Sequence, residues 1–174
     1  MKQKCVFFDR DGVVNVSPGP GYVERWEDFH LIPEFVAAAR CAAAKGYAVV
    51  IATNQRGVAR GIMSQKTLDA MHAKLRSALS EQGVELLGIF CCTHERDSCD
   101  CRKPLPGLLL QAASEHAIDL TSSWMIGDKE TDVAAGRAAG CHTILVSGLP
   151  AESEADLTVG TMAELAASLD SILG

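Results

Sequence analysis

Asp9 and Asp11 are the residues in this chain with the plainest chemical potential. They lie two apart, directly after the apolar run Cys5-Val6-Phe7-Phe8, and Gly12 follows them, which suits a sharp turn. Side chains two apart on extended backbone point to the same side, so both carboxylates face one place. Asp128 and Asp132 follow another short apolar run, Trp124-Met125-Ile126. Carboxylates gathered in one crevice repel each other unless a hard cation sits among them, and Mg²⁺ takes oxygen ligands together with a substrate phosphate. A lone Asp would read as a helix cap or a solvated charge. The set, joined by polar residues after two further apolar runs, reads as a phosphoryl-transfer site. Thr53 and Asn54 have the hydroxyl and amide to hold phosphate oxygens, and Lys103 has the charge to neutralise a transferring phosphoryl group.

A second cluster lies at 92–101. Cys92, His94, Cys99 and Cys101 form C-x-H-x4-C-x-C within ten residues. Three thiolates and one imidazole make a closed tetrahedral Zn²⁺ site, structural rather than catalytic. Arg102 and Lys103 follow the last ligand directly. Zinc binding would order a loop that has no core of its own, and would so set two cations over the phosphate site. Arg102 could fork onto a substrate phosphate and Lys103 act as a point charge. Cys5, Cys41, Cys91 and Cys141 read as small core residues. His30, His72, His116 and His142 show no ligand spacing and read as surface or satisfied core.

The elements that must position these groups alternate. Short apolar runs at 5–8, 47–52, 86–91, 124–126 and 143–146 read as strands buried on both faces. Helices are expected at 34–45, from the N-cap Ser64 to Gln82 with Gly83 as the stop, and at 108–116, 131–139 and 162–172. The polar stretch 149–160 reads as a loop. Alternation of this kind implies an α/β fold: a Rossmann-like three-layer sandwich with a mostly parallel central sheet. Ligands bind beyond the carboxyl ends of such strands. The polar segments 9–11, 53–55, 92–103 and 127–129 stand at four of those ends.

The bulk properties narrow the partners. A chain of 174 residues suits one domain over 1–174. A net charge of −6 argues against a nucleic-acid partner. No apolar run approaches the ~20 residues that span a bilayer. The N-terminal apolar stretch is cut off by Asp9-Arg10-Asp11, so it is not expected to be a signal peptide. Seven cysteines then read as thiols or metal ligands in a reducing cytosol, not as a disulfide framework.

Taken together these residues resemble the haloacid dehalogenase (HAD) superfamily of phosphotransferases, over roughly residues 4 to 148. Its DxDx[TV] motif reads here as Asp9-Arg10-Asp11-Gly12-Val13, its Thr/Ser as Thr53, its Lys as Lys103 and its acidic pair as Asp128 with Asp132. Gly21-Tyr22-Val23, Thr53-Asn54-Gln55, Val58-Ala59-Arg60-Gly61 and Cys101-Arg102-Lys103-Pro104 resemble the zinc-loop branch, the heptose-bisphosphate phosphatases that serve ADP-heptose and lipopolysaccharide core synthesis. Histidinol-phosphate phosphatases, from histidine synthesis, are the nearest relatives of that branch, and Ala59-Arg60-Gly61 sides with the heptose enzymes. Ser17-Pro18-Gly19-Pro20 departs as a slightly longer loop. The resemblance implies a nucleophile at Asp9 and an acid/base at Asp11. It implies Mg²⁺ on the Asp9 carboxylate, the Asp11 main-chain carbonyl and Asp128, and Zn²⁺ on the cysteine–histidine loop. Catalysis would draw also on Thr53, Arg102 and Lys103. Substrate contacts are expected from Gly21, Tyr22, Asn54, Gln55, Arg56, Arg60, Arg102, Lys103 and Lys129. The expected partner is a small phosphorylated sugar, acted on by a cytoplasmic monomer with no cap domain. A catalytically silent zinc-bearing phosphosugar-binding module is the rival of a different class, and the intact Asp9 and Asp11 argue against it.

Overall fold

The computed structural model describes residues 2–148 and 152–174. Six strands, β1 (Cys5–Phe8), β2 (Ala48–Asn54), β3 (Gly88–Cys92), β4 (Trp124–Gly127), β5 (His142–Val146) and β6 (Leu157–Val159), form one sheet in the order β3-β2-β1-β4-β5-β6. Every pairing between neighbours is parallel. Five helices connect or flank them: α1 (Pro33–Ala44), α2 (Gln65–Glu81), α3 (Gly107–His116), α4 (Glu130–Ala139) and α5 (Met162–Leu173).

The strands are buried on both faces, as their continuous apolar sequences require. In β1, Val6 and Phe8 enter one apolar cluster with residues of α1, α2 and α5, while Cys5 and Phe7 enter a second with residues of α3. Alternation along one strand thus serves two cores, and the sheet is the middle of three layers. Burying each Phe or Ile of these strands contributes roughly 1.5–3 kcal/mol. The helix starts follow local rules. Ser64 caps α2 by accepting from the Thr67 amide at 3.0 Å, and Pro33 opens α1, where a missing N–H costs nothing.

The observed elements match the expected ones to within a few residues, with one correction. The stretch 149–160, expected to be a loop, contains β6, while residues 149–151 lie outside the described residues. β6 has three residues, and Leu157 and Thr158 are exposed, so it carries no apolar alternation to announce it. It is pinned instead by Asp156, which accepts from the Thr143 amide at 2.7 Å and the Thr143 hydroxyl at 2.9 Å.

The strand order explains where the site must be. The chain builds outward from β1 through β2 to β3, then crosses back to lay β4 on the other side of β1. The reversal opens a crevice at the carboxyl ends of β1 and β4. Asp9 leaves β1 there and Asp128 leaves β4. Between β1 and α1 the chain makes a single 3-10 turn, Trp26–Asp28, and isolated bridges from Asn15 to Asp11 and Leu31.

Candidate active site

Lys103 is the hub. Its ammonium donates to Asp9 Oδ1 at 2.8 Å and to the Ala52 carbonyl at 2.8 Å, and lies 2.6 Å from Asp132 Oδ1. All three charged residues are buried. Burial alone would pull the Lys103 pKa down, but Asp132 and Asp9 outweigh it and hold the ammonium well above its ordinary range. Its main chain is clasped by Asn54, whose amide donates to the Lys103 carbonyl at 3.0 Å and accepts from its N–H at 3.1 Å.

The carboxylates are crowded. One oxygen each from Asp9, Asp128 and Asp132 lie within 4.8 Å of one another. Burial lifts the Asp9 pKa, Lys103 lowers it, and Asp132 and Asp128 lift it again, leaving it at about 7. Asp128 is likewise raised, by burial first and then by Asp132. Its Oδ1 is buried without a hydrogen-bond partner among the described residues. An unpartnered anionic oxygen in a cluster of raised carboxyls is the signature of a cation seat, and all-oxygen ligands suit Mg²⁺. Gly12 is needed beside it. Its φ of +96° belongs to the left-handed region, and a Cβ there would overlap the Asp128 carboxylate.

Asp11 is turned away from that cluster. Its Oδ1 accepts from Asn15 Nδ2 at 2.9 Å and from Arg10 Nη2 at 3.0 Å, and its Oδ2 accepts from Gln55 Nε2 at 3.1 Å. Burial pushes its pKa up, but the Arg10 guanidinium and these hydrogen bonds prevail and hold it below the ordinary value. With the side chain so engaged, Asp11 is not part of the Asp9–Asp128–Asp132 cluster.

A cavity of about 680 Å³ adjoins this cluster at Lys103. Asp11, Asn54, Lys103 and Lys129 line it, as do Gly21, Tyr22, Arg56 and Arg102. Arg102 Nη1 is buried and without a hydrogen-bond partner among the described residues, a donor left for an anion. Among the expected residues, Asp9 and Asp128 belong to the carboxylate cluster and not to the cavity lining, and Thr53, Gln55 and Arg60 also stand outside it. Thr53 is buried and accepts from Gln55 Nε2 at 2.8 Å; Gln55 is buried and holds Asp11. Arg60 lies off the cavity, where its Nε is 3.5 Å from Glu95 Oε2. Glu95 also accepts from Arg56 Nη1 at 3.0 Å, which ties the cysteine loop to the segment after β2.

In that loop the four expected ligands converge. Cys92 Sγ is 3.5 Å from Cys99 Sγ and 3.6 Å from His94 Nδ1, which is 3.2 Å from Cys101 Sγ. A tetrahedron with Zn–S bonds near 2.3 Å has edges of roughly 3.5–3.8 Å, which the two Cys92 distances match and the His94–Cys101 distance falls a little short of. Burial and the neighbouring thiols push the Cys101 pKa up, and burial does the same for Cys92. Several thiolates do not coexist this close without a cation to neutralise them.

Sequence reasoning passed over Arg10, Asn15 and Glu95, and took His72 for surface or satisfied core. His72 is indeed core, and it is bonded to Arg10. Asn15 offered a signal: it is the fourth residue after Asp11, within a turn that Gly12 closes by donating to the Asn15 carbonyl at 2.7 Å.

Comparisons with known proteins agree with this geometry. A family model of HAD-hydrolase-like proteins matches residues 100–171. The D-glycero-beta-D-manno-heptose-1,7-bisphosphate 7-phosphatase of Photorhabdus laumondii is 39% identical, over 97% of this chain and 96% of that one. The alpha-anomer phosphatase of the same organism is also 39% identical, over 80% of this chain and 79% of its own. The crystal structure of D,D-heptose 1,7-bisphosphate phosphatase from B. bronchiseptica, complexed with magnesium and phosphate, superposes with a TM-score of 0.84. It is 34% identical and covers 97% of this chain and 99% of that one.

Proposed function

This chain belongs to the heptose-bisphosphate phosphatase family of HAD-like hydrolases, and we propose that it removes the 7-phosphate of D-glycero-D-manno-heptose 1,7-bisphosphate through an aspartyl-phosphate on Asp9. The reaction serves ADP-heptose synthesis for the lipopolysaccharide core. The observation that carries the reading is the carboxylate cluster that Lys103 joins to the cavity: Asp9 bonded to a buried Lys103, with an Asp128 oxygen in the same cluster that lacks a partner among the described residues.

The chemistry runs in two steps. Asp9 attacks phosphorus, and the bond to the sugar oxygen breaks as the aspartyl-phosphate forms. Asp11 gives its proton to the departing sugar oxygen. Water then attacks the same phosphorus, Asp11 takes the water's proton, the bond from Asp9 to phosphorus breaks, and inorganic phosphate is released as Asp9 is regenerated. Lys103 would face the charge on the non-bridging oxygens, held in place by Asn54, which clasps its main chain. Mg²⁺, held by the Asp9 and Asp128 carboxylates and the Asp11 carbonyl, would neutralise phosphate charge and keep Asp9 ionised despite its raised pKa. Asp11 rests ionised, and a phosphate dianion arriving beside it raises its proton affinity, so it becomes an acid when substrate is present. Arg102, Arg56 and Lys129 hold the remainder of the substrate, including its second phosphate, with Gly21 and Tyr22 on the facing wall.

Phosphate release compared side by side tests the assignment. Heptose 1,7-bisphosphate, as either anomer, is expected to exceed histidinol phosphate in kcat/KM by at least ~10²-fold, because the histidinol ester leaves the second set of cations unpaired. Equal rates, or a preference for histidinol phosphate, would reject it.

We assign Zn²⁺ to Cys92, His94, Cys99 and Cys101, as the clip that sets Arg102 and Lys103. Its removal by chelation, followed by return to Mg²⁺, is expected to lower kcat roughly 10–100-fold, the scale seen when metal-site support is lost. Zinc-free protein with full turnover and an ordered loop would contradict this. The proposed setting is the reducing cytoplasm, which seven free cysteines fit.

A further inference from the structure

Arg10 is wholly buried and the reaction as described does not use it. A guanidinium without solvent needs strong compensation, and an apolar side chain of similar volume is often as stable or more so. Its contacts show where the compensation comes from. Nε and Nη2 both donate to Asp11 Oδ1, at 3.2 and 3.0 Å, and Nη2 reaches Oδ2 at 3.4 Å. Nη1 points the other way, to His72 Nε2 at 3.1 Å and Met71 Sδ at 3.7 Å, both on α2. The Phe29 ring lies 5.5 Å from the guanidinium carbon.

Arginine has donors only, so His72 Nε2 must accept, and the ring proton must sit on Nδ1. Burial, reinforced by the Arg10 charge, lowers the His72 pKa to about 4, which keeps the ring neutral and accepting. We infer that Arg10 and His72 are positioning residues: a relay from α2 that fixes the direction of the Asp11 carboxyl. The relay rests on the reading of Asp11 as acid/base. General acid–base transfer needs heavy atoms within about 2.6–3.2 Å of the proton's destination. Asn15 and Gln55 each hold one Asp11 oxygen by one bond, and neither resists rotation of the carboxyl as the two-toothed Arg10 fork does. Arg10 is itself fixed only if Nη1 is anchored, and His72 is that anchor. Neither residue lines the cavity, and both Arg10 forks end on protein groups, Asp11 on one side and His72 with Met71 on the other.

The test separates positioning from plain packing. His72→Leu removes the acceptor and keeps bulk, while His72→Gln restores an acceptor. Turnover, KM and melting temperature are read for both on heptose 1,7-bisphosphate, with Asp11→Asn as control. The expected result is a kcat roughly 10–50-fold lower in His72→Leu, on the scale of a displaced catalytic group, with KM within about twofold. His72→Gln is expected to recover to within about threefold of the unmodified enzyme. A His72→Leu enzyme that keeps its kcat overturns the relay, as does an equal loss in the Gln variant or a KM that rises in step. Arg10→Lys, which keeps the charge and loses the fork, gives an independent reading: unchanged kcat overturns the relay. An Asp11→Asn enzyme with normal turnover would instead overturn the acid/base reading on which the relay rests.

Discussion

Asp9→Asn is expected to lower phosphate release by at least ~10⁴-fold, the scale of losing a covalent nucleophile, while leaving the fold intact. The amide has the same shape as the carboxylate but no nucleophilic oxygen. Its carbonyl can still accept from Lys103, which keeps Asp132 at 2.6 Å as its ion partner. Removing one of three crowded carboxylates also relieves repulsion in the cluster. Stability is therefore expected to hold or to rise when no metal is bound. A variant that retains more than a few per cent of turnover would mean that water, and not Asp9, attacks phosphorus. A non-catalytic binding module would show no functional change at all.

Lys103→Met is expected to harm both activity and stability. The lost ammonium faces the transferring charge, and removal of one such electrostatic contact costs on the order of 10²–10³ in kcat. In the folded state it would leave Asp9 and Asp132 buried without their cation, and breaking a buried pair costs roughly 3–5 kcal/mol. The pH dependence follows from the sign of the remaining shift. Asp9 already titrates at about 7 in the folded chain against an ordinary value of 3.8, and losing Lys103, which lowers it, drives it higher. The folded variant then binds more protons than the unfolded chain above pH ~4, so its stability falls as pH rises from there through 7 and beyond. Urea unfolding without metal, at pH 5 and pH 8, should show the variant closer to the parent protein at pH 5. A constant gap across that range would show that Lys103 does not neutralise these carboxylates.

The gathering of the acidic residues was readable because its signals are local. Asp9, Asp11 and Gly12 follow one apolar run, Asp128 follows another, and strand ends must meet in a doubly wound sheet. The cysteine loop was readable for the same reason, since four ligands fall within ten residues. What was not readable depends on distance along the chain. Arg10 meets His72 across 62 positions, and nothing in either neighbourhood marks the contact. Asn54 was expected at the phosphate, and it does line the cavity. Its amide, however, clasps the Lys103 main chain 49 positions away, a role that spacing cannot announce. β6 escaped because an exposed three-residue edge strand held by Asp156 has no hydrophobic period. Arg10 itself looked like a polar break after β1, and only its complete burial shows that its charge is matched from within.

The covalent step can be seen directly. Rapid quenching of the unmodified enzyme during its first turnovers on heptose 1,7-bisphosphate and Mg²⁺ should capture phosphoenzyme, whereas Asp11→Asn, which lacks both the acid for the first step and the base for the second, should yield far less. Trapping the acyl phosphate with hydroxylamine and mapping the peptides by mass spectrometry should place a hydroxamate on Asp9, together with a burst of dephosphorylated sugar. Turnover by the unmodified enzyme with no trapped Asp9, or with the adduct on Asp128 or Asp132 instead, would contradict the account.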